Sequence, residues 1–470
     1  MNLSRALRLM PHPPLRGASV GVAGAGGKTT AIFQLARELT PPVLISSTTH
    51  FGDWQVPLAD RHIIATSAGQ VGEIGAGVTL VSGPVENERT APVHAEVLRF
   101  LQNLAQSKNV PLLLECDGSR GLPLKAPADH EPPIPDFVDT VVVVAGLHGL
   151  GQRLDESHVH RPHLFSALSG LALGAEATPE GLTRVLLHPE GGLKNIPAGA
   201  RRVCLLNQAD TPDLQAIAQQ MSQRLLESYD SVVIANLKDK TIHAVHEKVA
   251  GIILAAGEST RFGKPKQLLD WHGEPFVRAV ARKALAAGLS PVAVVTGSNA
   301  AAVEAAVRDL DVIIVHNSNW QSGQSSSIVA GVKEITPSLP PPNPPQKERL
   351  LKEPRAADLG EMPFRAEGVG AGIFLLADQP QVTVEVMRAL VESHRREMPA
   401  IVAPLILEER RGNPVLFDRV TFADLLTLRG DVGGRAIFHK HKVEFLPWHD
   451  DALLLDVDTP EDYQRLIESA

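Results

Sequence analysis

The stretch GAGGKTT places Gly24, Gly26, Gly27, Lys28 and Thr29 at a spacing that can bind phosphate. Glycines let successive backbone N–H groups turn toward an anion at a helix N-terminus. A lysine then reaches the outer phosphate oxygens, and a hydroxyl can hold magnesium. The long form of such a loop would need glycine where Val22 stands, so the match is to the shorter G-x-x-G-K-T spacing. A structural glycine turn is the plain alternative. Further on, LLLECDG puts Glu115 and Asp117 at the end of an apolar run, where a carboxylate can hold magnesium or water. Acids there also serve as simple caps. LLNQAD carries Asn207 and Asp210 at a spacing that can read guanine, with Gln208 where lysine is expected. A turn formed by Asn and Asp is an equal alternative. In SHVHRPHLF, His158, His160 and His163 are metal-ligand types, but a loop with arginine and no acid–cysteine set suits surface or structural histidines better.

A second stretch, LAAGESTRFGKPKQLL at 254–269, raises a different chemistry. Gly257 lets the backbone come close to a nucleotide, while Arg261 and Lys266 put positive charge where pyrophosphate would leave. Pro265 stiffens the exit of the loop and aims the lysine. GIFLLADQP ends an apolar run with Asp378, and LLLDVDTPED ends another with Asp456 and Asp458. Carboxylates from two strands can hold Mg2+, or Mn2+ in its place, against triphosphate oxygens; Asp378 and Asp458 are the expected metal pair. Asp458 before Thr-Pro-Glu-Asp is also a helix N-cap pattern.

The elements that must position these residues follow from hydrophobic patterning. ASVGVAG, PVLISSTTH, VPLLLECDG, TVVVVAG and RRVCLLNQAD are short apolar runs ended by glycine or polar residues, and AIFQLARELT has helical spacing. Such runs read as buried parallel strands, so an α/β fold is expected. The polar stretch ANLKDKTIHAVHEK separates them from a second set: strands VAGIILAAG, SPVAVVTGS and DVIIVHNS, with helix VRAVARKALAAG, then GAGIFLLADQP, PAIVAPLI and LLLDV. The reading is two domains, 1–247 with a P-loop-like α/β sheet and 248–470 with a Rossmann-like, mostly parallel sheet. Residues 336–368, rich in proline and charge, read as a disordered or extended insertion within the second domain.

A chain of 470 residues is too long for one core, which agrees with two domains. A formal charge of −8 and only 4% aromatic residues leave no footprint for nucleic acid. No apolar run reaches membrane-spanning length, and MNLSRALRLMPHPPLRG reads as a short amphipathic helix without the apolar core of a signal peptide. The two cysteines, Cys116 and Cys204, form neither a disulfide framework nor a cysteine zinc site, and they suit a cytoplasmic protein.

Two family resemblances rest on these motifs. GAGGKTT, SSTTHF, ECDGSRGLPLKAPADHEPPIP, HVHRP and NQAD, in that order, resemble the YqeC-type accessory proteins of selenium-dependent hydroxylases over roughly the first half. That resemblance implies association with a molybdenum hydroxylase apoenzyme and makes Lys28, Thr29, Asp117, Arg120 and Lys125 nucleotide-site candidates. From 249 to 470, LAAGESTRFGKPKQLL, HNSNWQSGQSSSIVAG (Asn317, Trp320, Gly323, Ser326, Ser327), ADQP, RGNPVLF, GDVGGRA and DVDTPEDY resemble the MobA-like nucleotidyltransferases, and within them the molybdenum cofactor cytidylyltransferases. The implied reaction joins CTP and molybdopterin cofactor into the cytosine dinucleotide with loss of pyrophosphate. Leu254, Ala255, Ala256, Gly257, Ser326 and Ser327 would hold the nucleotide, Lys266, Arg261 and Asp378 would be catalytic, and Asn413 and Arg435 would contact the cofactor. Ala256 favours CTP, since guanylyl enzymes look more like LAGG. A guanylyl- or sugar-phosphate nucleotidyltransferase, and a cofactor-carrying chaperone, are the alternatives.

Overall fold

Val20, Val22 and their neighbours are buried on both sides of the chain, as a central parallel strand requires. The computed structural model describes residues 1–9, 17–258, 262, 264–336, 368–406, 410–455 and 457–469. Arg261, Asp456 and residues 337–367 of the proline-rich stretch lie outside them. The chain divides into two compact units, Met1–Glu247 with Arg395–Met398, and Lys248–His394 with Pro399–Ala470.

Unit 1 is built on a nine-stranded sheet: β1 (Ser19–Gly24), β2 (Val43–Ser47), β3 (Arg61–Ile64), β4 (Val78–Ser82), β5 (Leu112–Glu115), β6 (Thr140–Gly146), β7 (Arg201–Asn207), β8 (Ser231–Asn236) and β9 (Thr241–His246). Their spatial order is β9-β8-β7-β6-β1-β5-β2-β4-β3, parallel except for the β8–β9 pair. Strand β1 sits in the middle, and the chain leaves it first toward β2 and later toward β6. The carboxyl ends of β1, β5 and β6 therefore flank a switch in winding direction, where α/β sheets open a crevice. Helix α1 (Lys28–Glu38) follows β1 after three residues and buries Ala31, Ile32 and Leu35. A short helix at Leu3–Ala6 does stand near the N-terminus.

One sequence expectation fails here. The polar separator ANLKDKTIHAVHEK contains β9, antiparallel to β8. Ile242 and Ala244 are buried while Thr241 is exposed, so an edge strand was hidden by its histidines and by the lysines that flank it.

Unit 2 has an eight-stranded sheet containing β10 (Val249–Ala255), β11 (Val292–Thr296), β12 (Ile313–His316), β13 (Ala371–Leu376), β14 (Ile401–Ile406), β15 (Arg410–Arg411), β16 (Val415–Asp418) and β17 (Val443–Trp448). The order β12-β11-β10-β13-β16-β14-β15, with β17 beside β14, puts β10 between β11 and β13, both parallel to it. The chain winds from β10 through β11 to β12, then returns to the other side of β10 as β13. The crevice at this switch opens beyond Ala255 and Leu376. Two apolar layers cover the sheet, one around Ile253, Val280 and Leu390 and one around Ile252, Val332 and Phe417.

A second expectation also fails: LLLDV is not a strand among the described residues. Asp451–Leu454 forms a 3-10 turn whose start is capped by Asp450, with Leu453 buried against the first of those layers. A short apolar run cannot by itself distinguish a strand from a buried turn. Asp458 accordingly comes from a loop before the helix Pro460–Ser469, not from a strand end.

Candidate functional site

In unit 1 the glycine loop joins β1 to α1 at the switch point. Gly24, Gly26 and Gly27 all have φ in the left-handed region, and a Cβ at each would strike Val144, Gly146 and Asn207 respectively. The loop is thus pressed against the ends of β6 and β7, which only glycine permits. Asn207 fixes its height: Nδ2 donates to the Gly26 carbonyl (2.7 Å) and Oδ1 accepts from Leu237 N–H (3.0 Å). Its amide thus ties the glycine loop to Leu237, a tertiary link between distant parts of the chain and not a turn within LLNQAD. Asp210 instead meets His148 at 2.8 Å.

Lys28 is 4% exposed and donates to the Gly24 carbonyl (2.8 Å), bending back over the loop. Thr29 donates to Glu115 (2.9 Å) and accepts from Gln55 (3.2 Å). Burial pushes the Glu115 carboxyl up to about 7, against the pull of Lys28 and the Thr29 hydroxyl. Register places Glu115 beside Val22 and Ser47, at the mouth of the crevice.

Asp117 and Lys125, expected at the nucleotide, are both buried and bonded within the fold. Asp117 is 2% exposed and accepts from Gly24 N–H (3.0 Å) and Lys125 (2.7 Å). Lys125 also donates to the Gly118 carbonyl and to Glu131, both at 2.8 Å, which accounts for its three protons. Arg161 forks onto the two Glu131 oxygens at 2.7 Å each. Burial opposes the charged form of Glu131, yet the bonds from Arg161 and Lys125 outweigh it and hold the carboxyl at about 2. This buried chain of alternating charges braces the loop from below.

Two cavities meet at the loop and share Gly26, Gly27, Thr29 and Thr30. One, about 1080 Å³, runs past Asn207, Asp210 and Lys238. The other, about 870 Å³, runs past Lys28, Glu115, Ser119 and Arg120. Glu115 lines the second and Asp117 lines neither, so of the two acids at the end of β5 it is Glu115 that can reach a metal ion beside Thr29. Trp54, 73% exposed, stands at both cavities; nothing in its sequence context marked it. The three histidines of SHVHRPHLF diverge: His158 turns to Asp155 (2.9 Å), His160 lines the second cavity, and His163 is exposed.

In unit 2 the expected residues gather at the carboxyl edge of the sheet. Leu254 and Ala255 end β10, and Ala377 N–H donates to the Leu254 carbonyl (3.2 Å), which brings Asp378 alongside Ala255 and Ala256. Gly257 is exposed, its φ is ordinary, and among the described residues a Cβ there would meet no atom within 4 Å. Gln267 donates to its carbonyl (3.1 Å), tying the loop's end to its start. Ala256 is 4% exposed and packs against Gly297, where any Cβ would strike the Ala256 methyl at 2.8 Å. Lys266, 9% exposed, makes a 2.6 Å ion pair with Asp458, whose side chain is 57% exposed.

Asn317 follows β12 and donates to Ser326 (2.8 Å) and Ser327 (3.1 Å) at the start of helix α2 (Gln324–Ile335). Ser327 is buried and serves this clamp, whereas Ser326 lines a cavity of about 680 Å³ with Lys333 and Arg429. Gly323 has φ +102, and a Cβ would lie 2.6 Å from the Gly430 carbonyl, so the loop at 430–431 closes directly onto it. Arg435 donates to Asn413 Oδ1 (3.2 Å) and the Arg411 carbonyl (3.1 Å), which brings that expected pair together. The antiparallel register Phe374↔Val415 sets Asn413 near the same edge as Asp378.

Known proteins match the two units separately. Residues 20–163 match the family described as YqeC protein, and residues 251–445 match the MobA-like NTP transferase domain. The uncharacterized protein YqeC of Escherichia coli is 33% identical over 46% of this chain and 85% of its own length. The nicotine blue oxidoreductase of Paenarthrobacter nicotinovorans is 30% identical over 47% of this chain and 96% of its own. A probable molybdenum cofactor guanylyltransferase of Bacillus cytotoxicus is 29% identical over 19% of this chain and 44% of its own length. The chain belongs to the YqeC family in its N-terminal part and to the MobA-like NTP transferases in its C-terminal part, and the latter part is a nucleotidyltransferase.

Proposed function

We propose that this YqeC and MobA-like chain transfers the cytidylyl group of CTP to the terminal phosphate of molybdopterin cofactor, releasing pyrophosphate, and that its N-terminal unit is a nucleotide-binding accessory for maturing a molybdenum hydroxylase. The observation that carries the reading is the convergence of Ala255–Gly257, Asp378 and Asn413 at one switch-point edge, together with the Lys266–Asp458 pair. Among the described residues nothing crowds Gly257, which suits a position that a ligand backs onto.

The roles follow from charge. The attacking phosphate is already ionised, so no general base is required; the chain must position the groups and stabilise the departing pyrophosphate. Lys266, held by Asp458, carries the positive charge suited to that leaving group, and Arg261 is its proposed companion. Asp378 and Asp458 supply hard carboxylate oxygens, which fit Mg2+ or Mn2+ completed by triphosphate oxygens. Such an ion would neutralise charge on the transferring phosphoryl group. Asp458 offers it one oxygen while the other keeps Lys266. Ser326 faces the nucleotide side, Ser327 keeps Asn317 in place, and Asn413 with Arg435 contacts the cofactor.

CTP over GTP rests on Ala256. The relative named as a guanylyltransferase supports a molybdenum cofactor substrate and leaves the base open. Pyrophosphate release from CTP, GTP and ATP with purified molybdopterin cofactor is the test. CTP should turn over fastest; absence of turnover with CTP, or faster turnover with GTP, removes the assignment. A second reading, a cofactor-carrying chaperone, draws on the two cavities of unit 1. If Asp378→Ala leaves hydroxylase maturation in cells intact, the chaperone reading prevails.

A further inference from the structure

The cavity on the Glu115 side of unit 1 holds more positive charge than the glycine loop uses. Beyond Lys28 and Glu115 its wall includes Arg89, Arg120, His130, His160 and Arg161. Arg161 is committed to Glu131. Arg89 and Arg120 are exposed, and among the described residues neither guanidinium meets a carboxylate. Burial, with the charges of Arg161 and Lys125, holds His160 down to about 4, so at neutral pH it adds a hydrogen-bonding ring and no charge.

The backbone shapes this wall. Arg120 has φ +53, Arg161 +65 and Gln208 +66, three non-glycine residues in left-handed conformations around one cavity. Such conformations cost free energy for residues with a Cβ, and they persist where something else requires them. At Arg161 the Glu131 fork supplies a reason within the fold. At Arg120 the reason is local: Leu122 N–H donates to the Ser119 carbonyl (3.0 Å) and closes a turn whose two central residues, Arg120 and Gly121, are both left-handed. Glycine suits that turn position best, and the residue there is a long cation that lines the cavity.

We propose that this cavity binds a second small molecule through a phosphate monoester or comparable oxyanion, gripped by Arg120 and Arg89, next to a nucleotide whose terminal phosphate lies at Lys28 and Thr29. Guanidinium forks match the geometry of a phosphate group. The two cavities then divide the work, the Asn207 side taking the nucleoside and the Glu115 side the second ligand. The inference rests on the reading of the glycine loop as a nucleotide site.

The test uses the full chain and inorganic phosphate as the probe. Binding of the β,γ-imido analogues of ATP and GTP is measured first; if neither binds, the nucleotide reading fails, and a site defined beside a nucleotide falls with it. With an analogue saturating, calorimetry should show one phosphate bound per chain. The Arg89→Ala/Arg120→Ala protein should weaken phosphate by roughly tenfold or more relative to the analogue. Mutual exclusion of phosphate and analogue would mean that these cations serve the nucleotide's own terminal phosphate, and unchanged phosphate binding in the double variant would mean an adventitious ion only; either overturns the proposal. Arg120→Gly supplies the control for folding: its melting temperature should rise while phosphate binding falls. A lower melting temperature would make Arg120 a structural residue and sink the idea.

Discussion

Glu115 shows how one side chain in unit 1 is poised between two states. A carboxyl at the crevice mouth is useful to a divalent cation only when ionised, and burial opposes that. Because its folded pKa is raised from 4.5 to about 7, the folded state binds the proton more tightly than the unfolded one. The stabilising contribution is therefore full below about 4.5 and is lost as pH rises through about 7, a total of about 3 kcal/mol. Urea titrations of wild type and Glu115→Gln at several pH values should show wild type losing stability relative to the variant between pH 5 and 8; parallel curves would count against the buried, protonated carboxyl. Asn207 makes a second residue-scale prediction. Replacing it with Ala leaves the Gly26 carbonyl and the Leu237 N–H without their partners in a buried place. A loss of about 2 kcal/mol in denaturant stability is expected, with nucleotide affinity falling because the loop is no longer held at its height.

At the scale of elements, the glycines of unit 2 separate what the fold needs from what a ligand needs. Gly323→Ala forces a Cβ into the Gly430–Asp431 backbone at a left-handed φ. It should destabilise by more than about 1 kcal/mol and loosen the start of α2, lowering turnover along with melting temperature. Gly257→Ala meets no atom of the described residues. Its stability should stay within about 0.5 kcal/mol of wild type while pyrophosphate release falls at least about tenfold. If Gly257→Ala keeps full activity, the proposed nucleotide does not approach that turn. Ala256, packed under Gly297, makes a gentler case: Ala256→Gly should shift the CTP-to-GTP preference toward GTP by no more than about tenfold, since one methyl group discriminates weakly.

For the whole molecule, each unit has its own sheet, its own apolar layers and its own switch-point crevice. Lys28→Ala should therefore abolish triphosphate binding by unit 1 while leaving CTP-dependent pyrophosphate release by unit 2 within about twofold, as additivity for independent sites requires. Asp378→Ala should do the reverse. Loss of both functions in either variant, with the fold intact, would reveal coupling between the units.

Much of this was legible in the sequence because parallel strands and glycine loops have local signatures. Runs such as VGVAG and GIILAAG announce buried strands, and GAGGKTT and LAAG announce the turns after them. What failed were elements whose burial depends on distant partners: β9, disguised by polar residues, and the LLLDV run, which is a capped turn. The amino-acid order alone determined the α/β class, the two loops and the residue types gathered at each crevice, since these are set by neighbours a few positions apart. Only the tertiary structure decided which acid faces the first crevice, that Asp117 and Lys125 brace it from below, and that Lys266 reaches Asp458 across 192 positions of chain. Those choices depend on strand register and on which carboxylate finds a buried cation first, and no local pattern encodes either.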